Sequence, residues 1–141
     1  MGKCRGCGLV QLVPMPSAGE IAKFYHEDFD HFTPYIEQLS VHRAYFREKI
    51  NDILLRVGGL RMTNNGLRLL DIGCAMGVLL EEAQKQGIEA VGIDISKDAV
   101  AYCRKKGLHV IQGTVNSRLG LGHEAFDVVT AFQVIEHEGS P

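Results

Sequence analysis

The chain lacks the long apolar run that a transmembrane helix requires. No apolar stretch approaches the ~20 residues that span a bilayer, and the first residues show no apolar core of the signal-peptide kind. Cysteine is also scarce, because Cys4, Cys7, Cys74 and Cys103 are too few and too unevenly spaced for a disulfide scaffold. We therefore expect no membrane span and a reducing, cytoplasmic location.

Basic residues are not in excess over acidic ones. The chain has 15 Lys and Arg against 17 Asp and Glu, a net charge of −2. Surfaces that bind nucleic acid or anionic lipid usually carry a clear positive excess. The balance argues against nucleic acid as a partner. The 141 residues, 45% of them hydrophobic, suffice for about one globular domain.

The first half of the chain divides into an irregular segment and a helical one. Residues 1–33 contain Pro14, Pro16 and Gly19 and show no strong hydrophobic period, which indicates a small irregular segment and linker. From Pro34 to Val57 the apolar residues recur at spacings near 3.5, which predicts one long amphipathic helix. These residues are Ile36, Leu39, Phe46, Ile50, Ile53 and Val57.

Short apolar runs alternate with helical stretches in the second half. The runs at 67–72, 89–94, 108–112 and 126–132 predict buried parallel strands. Helices are predicted at 78–86 and from the capping residue Ser96 to Gly107. This alternation is typical of a doubly wound α/β sheet with Rossmann-like connections.

A glycine-containing bend follows the first of these strands. Gly73, Ala75 and Gly77 leave room for a ligand close to the backbone, and the helix that starts near Val78 directs free N–H groups toward it. We interpret Cys74 as a small residue of this bend. Cys103 is interpreted as a half-buried helix residue, and neither thiol has a histidine nearby in sequence to activate it.

Two carboxylates accompany the bend. Asp94 ends the second strand 21 residues after Gly73, where doubly wound folds place the acid that accepts ribose hydroxyls. Asp71 precedes the bend, where it suits a cationic amino group better than a pyrophosphate. The spacing G-x-A-x-G also differs from the dinucleotide pattern G-x-G-x-x-G. These features favour S-adenosylmethionine over NAD, with an NAD-dependent oxidoreductase as the rival. In the simpler interpretations, Asp71 only caps the loop and Asp94 is a turn residue.

Three segments resemble motifs of the class I S-adenosylmethionine-dependent methyltransferases, of the type 11 and type 23 kind. They are Leu-Leu-Asp-Ile-Gly-Cys-Ala-Met-Gly (69–77), Val-Gly-Ile-Asp-Ile-Ser (91–96) and Phe-Asp-Val-Val-Thr-Ala-Phe-Gln-Val-Ile-Glu-His (126–137). The resemblance covers 34–141 and implies the N-terminal half of that domain, with an incomplete sheet of strand order 3-2-1-4.

The resemblance implies a role for each matching residue. Asp71, Gly73 and Gly77, with Cys74 and Ala75 between them, surround the methionine moiety, and Asp94 binds the ribose hydroxyls. Ile95 and Thr114 flank the adenine, and Phe132 and Gln133 lie beside the methyl-transfer site. Many relatives have an acid after the glycine that closes strand three. This chain has Thr114 and Asn116 in that region instead.

The resemblance also implies a methyl acceptor, expected to be a small molecule, a sugar or a lipid-linked intermediate. His137 is a candidate catalytic acid or base, although it could equally be a packed residue near the chain end. The alternative function is a non-catalytic fragment that binds S-adenosylmethionine. Strand four would have an unpaired edge, and a homodimer partner would cover it.

Cys4 and Cys7 form a CxxC pair typical of one zinc knuckle. Residues 1–33 resemble the second half of the zinc ribbon that precedes some methyltransferase domains. Tetrahedral zinc needs four ligands, and the chain has no second CxxC. We therefore expect zinc to be absent or weakly held. A redox role is less favoured because the pair does not open a helix after a strand. The near-neutral charge disfavours a zinc-dependent nucleic-acid binder.

Overall fold

The computed structural model describes residues 2–8, 10–11, 13–14, 16–17, 19–20, 23, 32–57, 66–115, 120–122 and 125–134. Its elements are β1 (Gly2–Lys3), β2 (Val10–Gln11), α1 (Thr33–Glu37), α2 (Leu39–Val57), β3 (Arg68–Ile72), α3 (Val78–Lys85), β4 (Glu89–Asp94), α4 (Lys97–Lys105), β5 (His109–Gln112) and β6 (Val128–Ala131). Within these ranges no helix is both long enough and apolar enough to cross a membrane.

The helical segment predicted over 34–57 is interrupted at Gln38, so the prediction of one continuous helix was wrong at this point. The short helix α1 has Pro34 in its first turn and ends at Gln38, whose φ of −103° and ψ of 19° leave the helical region. The carbonyl of Gln38 then accepts the N–H groups of Val41 and His42, which starts α2. The long helix α2 that precedes the sheet is confirmed.

The sheet has the order β5-β4-β3-β6, and all three pairings are parallel. Numbered from β3, this is the predicted order 3-2-1-4. The chain moves outward from β3 to β5 and then returns to the opposite side of β3. This reversal places a topological switch point beside β3, and ligands of open α/β sheets bind outside the carboxyl ends of the strands at such a point.

The helices α2, α3 and α4 share one apolar core with one face of the sheet. Ile50 of α2, Leu79 of α3 and Cys103 of α4 are fully buried, and they belong to one cluster with Leu69 of β3 and Val110 of β5. A second cluster, formed by Leu70, Val91 and Ile93, lies on the opposite face of the sheet. Both faces therefore carry buried side chains, as expected for strands of a parallel sheet.

A buried carboxylate joins α2 to α3. The side chain of Glu82 is 2% exposed, and it accepts hydrogen bonds from Arg47 of α2 at 3.1 Å and from Lys85 at 2.5 Å. Burial alone would raise the pKa of Glu82, but these two cations hold it below its usual value. This ionic contact orients α2 across the helix that follows the bend.

The ends of α3 and α4 confirm the predicted signals. Ser96 accepts the N–H of Ala99 at the start of α4, and Gly87 and Gly107 adopt left-handed φ values of 75° and 78° after the two helices. Such a conformation suits glycine because it has no Cβ to clash. Together these ends return the chain to the next strand at the amino-terminal edge of the sheet.

The N-terminal segment contains a small antiparallel hairpin. Gly2 pairs with Gln11 and Lys3 with Val10. The predicted division at residue 33 falls at the first residue of α1, and the division itself stays a prediction.

Candidate functional site

Asp71 lies inside β3 at the switch point, paired in register with Thr130 of β6. The residue is 4% exposed, and its Oδ1 accepts the Thr130 hydroxyl at 2.7 Å. Burial raises the pKa of Asp71 to about 7. The Thr130 hydrogen bond opposes that shift, and the charge of Asp94 adds to it. A carboxyl in this state suits a ligand that brings its own positive charge.

The bend after β3 is held against β4 by backbone hydrogen bonds. The N–H groups of Gly73 and Cys74 both donate to the carbonyl of Ile93, at 2.8 and 3.0 Å. Gly73 and Gly77 have φ values of 70°, and Ala75 has a φ of 46° in the same left-handed region. Left-handed alanine is unfavourable by roughly 1–2 kcal/mol, so the surrounding contacts must stabilise this conformation.

Asp94 supplies one of those contacts. Its Oδ2 accepts the N–H of Ala75 at 2.7 Å and its Oδ1 accepts the N–H of Ser96 at 2.8 Å. Burial raises the pKa of Asp94, and these backbone hydrogen bonds oppose that rise. Each carboxylate oxygen has a further lone pair. Asp94 can therefore shape the bend and still accept hydroxyl groups from a ligand.

Cys103 contacts the other side of Ala75. Its thiol donates to the Ala75 carbonyl at 3.3 Å, and the residue is fully buried. The expectation of a half-buried helix residue was therefore wrong, because α4 packs directly beneath the bend. Cys74 is also buried. Its hydrogen bond with Cys103, together with burial, raises the pKa of the Cys74 thiol far above its usual value, which disfavours a nucleophilic thiolate.

The remaining predicted cofactor residues lie around this centre. Ile95 follows Asp94 directly, and the N–H of Gly113 donates to the Asp94 carbonyl at 2.9 Å, which brings the exposed Thr114 to the same edge. The ring of Phe132 packs edge-on against Phe46 of α2, with centroids 5.4 Å apart. Gln133 is exposed and has a left-handed φ of 57°. Their contacts with a ligand stay predictions.

Two contributors to the site had no assigned role in the sequence analysis. Thr130 was part of a quoted motif, but only the register with β3 places it against Asp71. Tyr35 of α1 packs against the buried cluster that contains Met76 of the bend, and Ala75 packs against the same cluster. Burial, and after it the charge of Asp71, raise the pKa of the Tyr35 hydroxyl. Its sequence signal was an aromatic residue preceding the long helix.

The catalytic candidate His137, and Asn116, lie outside the described residues. Cys4 and Cys7 are exposed and lie between the strands of the N-terminal hairpin. The Gly8 N–H donates to the Cys4 carbonyl at 3.0 Å. Hydrogen bonds from the backbone N–H groups of Cys7 and Gly6 lower the pKa of the Cys4 thiol. Among the described residues no group of three or more potential ligands surrounds a common point.

Similarity to known methyltransferases agrees with this geometry. The chain is 31% identical to the ubiquinone biosynthesis O-methyltransferase of Aliivibrio fischeri (strain MJ11), over 66% of this chain and 41% of that protein. It is 30% identical to the corresponding protein of Methylococcus capsulatus, over 87% of this chain and 52% of that protein. The chain thus spans about half or less of the length of these relatives.

Solved structures establish the fold. The S-adenosylmethionine-bound amino pentose methyltransferase CalS10 from Micromonospora echinaspora superposes with a TM-score of 0.52 and 22% identity, covering 69% of this chain and 41% of that one. A TehB-like S-adenosylmethionine-dependent methyltransferase from Corynebacterium glutamicum gives a TM-score of 0.51 and 18% identity, covering 74% and 56%. The predicted α/β fold of the class I methyltransferase type is confirmed, with the incomplete sheet described above.

The sequence model of the family described as "Methionine biosynthesis protein MetW" matches residues 47–141. This range includes α2 from Arg47 onward, the bend, both carboxylates and the motif at 126–137 that contains β6. The chain belongs to the MetW family.

Proposed function

We propose that this chain binds S-adenosylmethionine and that the protein transfers the methyl group to a small-molecule acceptor. One observation carries the proposal. Asp71 and Asp94, from different strands, both lie against a bend that contains three left-handed residues. A cationic amino group and a pair of ribose hydroxyls are the ligand groups that such carboxylates recognise.

The donor set fits the proposed ligand. Asp71 is a buried carboxylate, and within the described residues its only hydrogen-bond partner is Thr130. An ammonium group would supply the missing positive charge. Asp94 is fixed by two backbone N–H groups and retains lone pairs for ribose hydroxyls. Ile95 and Thr114 would flank the adenine, and Phe132 and Gln133 would lie near the transferred group.

S-adenosylmethionine, when bound, supplies a methyl group that its sulfonium already activates. The residues of this chain would therefore act mainly by positioning, which accounts for as much as ~7–11 kcal/mol of barrier reduction in favourable intramolecular cases. A base is needed only where the acceptor must lose its proton before attack. His137 is the proposed residue for that step.

The acceptor is proposed by class only. The relatives are ubiquinone biosynthesis O-methyltransferases, and one structural neighbour is an amino pentose methyltransferase. The family is described as a methionine biosynthesis protein. We propose a small organic hydroxyl or amine acceptor, of the small-molecule, sugar or lipid type. The reducing cytoplasm is the proposed compartment, since all four cysteines are free thiols.

Calorimetry with S-adenosylhomocysteine and with NAD tests the ligand class. We expect the chain of residues 1–141 to bind S-adenosylhomocysteine and not NAD; the opposite preference would overturn the proposal in favour of an oxidoreductase. Transfer of a radiolabelled methyl group to phenolic and amino-sugar acceptors, by the longest product of the gene, tests catalysis. Binding without turnover of any acceptor by that product would favour the non-catalytic alternative.

A second copy of the chain is the proposed partner of strand β6. This strand pairs with β3 on one side, and no strand of the described residues pairs with its other side. The side chain of Val129 in this strand is 58% exposed. Light scattering should show a dimer that Val129→Lys dissociates, whereas the control Val41→Lys on the exposed side of α2 should leave it intact. A monomeric wild type would contradict the proposal.

A further inference from the structure

Among the residues that the structure describes, Thr130 is the one whose side chain forms a hydrogen bond with the Asp71 carboxylate. Its hydroxyl lies 2.7 Å from Oδ1 of Asp71 and 3.3 Å from the carbonyl oxygen of Leu70. Thr130 is itself only 9% exposed, so water does not easily replace this contact. Within the described residues the second carboxylate oxygen, Oδ2, has no hydrogen-bond partner.

The hydroxyl has one proton and two acceptors. When Asp71 is ionised, Thr130 donates to Oδ1, because a charged acceptor binds the proton more strongly than a carbonyl does. When Asp71 is protonated, the acid donates to Oγ1 and Thr130 donates to Leu70. In both states Oδ1 is held on the β6 side, which leaves Oδ2 as the oxygen available to a ligand.

Among the described residues, the titratable groups that act electrostatically on Asp71 carry no positive charge. The charge of Asp94, at the end of β4, raises the pKa of Asp71, and the charge of Asp71 raises the pKa of the Tyr35 hydroxyl of α1 and of the Cys74 thiol of the bend. Among the described residues no Lys, Arg or His forms an ion pair with Asp71. None of the described residues therefore supplies a countercharge for an ionised Asp71, and the amino group of the proposed ligand would supply it.

We propose that Thr130 is a positioning residue, whose hydroxyl fixes Oδ1 of Asp71 so that Oδ2 receives the cationic amino group of the ligand. The inference rests on the proposed S-adenosylmethionine site and assigns to it a pH dependence. Binding weakens as the pH falls, because a protonated Asp71 has no charge to offer the amino group.

Two ligands separate this role from general support of the fold. S-adenosylhomocysteine carries the amino acid moiety, whereas 5′-methylthioadenosine has the same nucleoside and lacks the amino group. By calorimetry at pH 6 to 9, we expect Thr130→Val to weaken S-adenosylhomocysteine binding by about 10-fold near neutral pH, as for loss of a hydrogen bond to a charged group. Binding of 5′-methylthioadenosine should change by less than about twofold.

The pH profile gives the second readout. Since the Thr130 hydrogen bond lowers the pKa of Asp71, Thr130→Val should move the midpoint of S-adenosylhomocysteine binding to higher pH. Thr130→Ser retains a hydroxyl and should restore both the affinity and the midpoint. Carbon NMR of the Asp71 carboxyl group in the ligand-free chain measures the same displacement without any ligand. Should Thr130→Val unfold, Thr130→Ala removes the same hydroxyl and carries the same expectations.

The possible results separate a failure of the Thr130 inference from a failure of the proposed S-adenosylmethionine binding. If the wild type binds S-adenosylhomocysteine and Thr130→Val leaves its affinity, pH profile and Asp71 titration unchanged, the positioning role is wrong and the proposed function stands. Equal weakening of both ligands would also overturn it, since that indicates a structural role. If the wild type binds neither ligand, the proposed function fails and the inference with it.

Discussion

The backbone N–H of Ala75 donates to Oδ2 of Asp94 over 2.7 Å, across 19 positions of sequence. Ala75 has a left-handed φ of 46°, and its carbonyl accepts the Cys103 thiol. Both polar groups of its backbone are thus held by side chains from later elements. Asp94 therefore contributes twice to the site, once by shaping the bend and once as the proposed ribose acceptor.

Substitution of Asp94 by asparagine should weaken ligand binding strongly. An amide accepts hydrogen bonds at one of its two positions only, so either the Ala75 or the Ser96 N–H would face a donor. We expect S-adenosylhomocysteine affinity to fall by about 10- to 100-fold, on the order of 1.4–2.8 kcal/mol. Calorimetry measures this, with Asp98→Asn on the exposed side of α4 as the matched control. If Asp94→Asn bound S-adenosylhomocysteine with wild-type affinity, Asp94 would be a turn residue only.

Glycines at the two ends of α3 test the packing of the bend. Gly77 and Gly87 have similar left-handed φ values, 70° and 75°. A Cβ at Gly77 would lie 2.9 Å from the Cys103 sulfur and 2.5 Å from Leu108, whereas a Cβ at Gly87 would meet nothing within 4 Å. Gly87→Ala should reduce the free energy of unfolding by ~1 kcal/mol from backbone strain alone.

Gly77→Ala adds overpacking to that strain and should lower the free energy of unfolding by roughly 2–4 kcal/mol. It should also abolish detectable S-adenosylhomocysteine binding, because α4 or the bend has to move. Urea denaturation of the two variants compares them directly. Equal destabilisation would mean that the close contact at Gly77 relaxes without consequence.

Asp71→Asn should stabilise the ligand-free chain in a pH-dependent way. The pKa of Asp71 is raised from an ordinary 3.8 to about 7, so the folded chain binds this proton more tightly than the unfolded chain. Its contribution to stability is fully present below about pH 4 and is lost as the pH rises through 7. Asparagine removes that loss. The gain in the free energy of unfolding should be small near pH 4 and reach on the order of 4 kcal/mol above pH 8.

Denaturation of Asp71→Asn at several pH values measures this gain, with the exposed Asp52→Asn of α2 as control. The same substitution should weaken S-adenosylhomocysteine binding, since an amide does not compensate an ammonium charge. A gain in stability that does not vary with pH would contradict the assigned titration of Asp71.

Zinc should be substoichiometric in the purified chain. Cys4 and Cys7 provide two of the four ligands that a structural site needs, and both are exposed. Elemental analysis should give well below one zinc per chain, and the Cys4→Ser, Cys7→Ser double variant should lower it further. Chelation should leave S-adenosylhomocysteine binding unchanged, because the bend is held by Asp94 and Cys103 without metal. Tightly held, equimolar zinc would refute this expectation.

Local signals determined most of the sheet from the sequence. The run that ends at Asp94 predicted β4 with the observed bounds, and Ser96 and Gly107 marked the ends of α4 correctly. These features depend on residues within a few positions of one another, so they can be predicted without knowledge of the fold. The break at Gln38 escaped prediction because the apolar spacing continues smoothly across it.

The sequence by itself determined the position of the bend and the two carboxylates, since hydrophobic period and short motifs encode them locally. The strand order followed from the resemblance of those motifs to the class I methyltransferases. Only the tertiary structure decided that Thr130 holds Asp71 and that Cys103 lies beneath Ala75. These contacts join residues 59 and 28 positions apart. They arise from the register of β6 against β3 and from the packing of α4, which side chains along the whole sheet fix together.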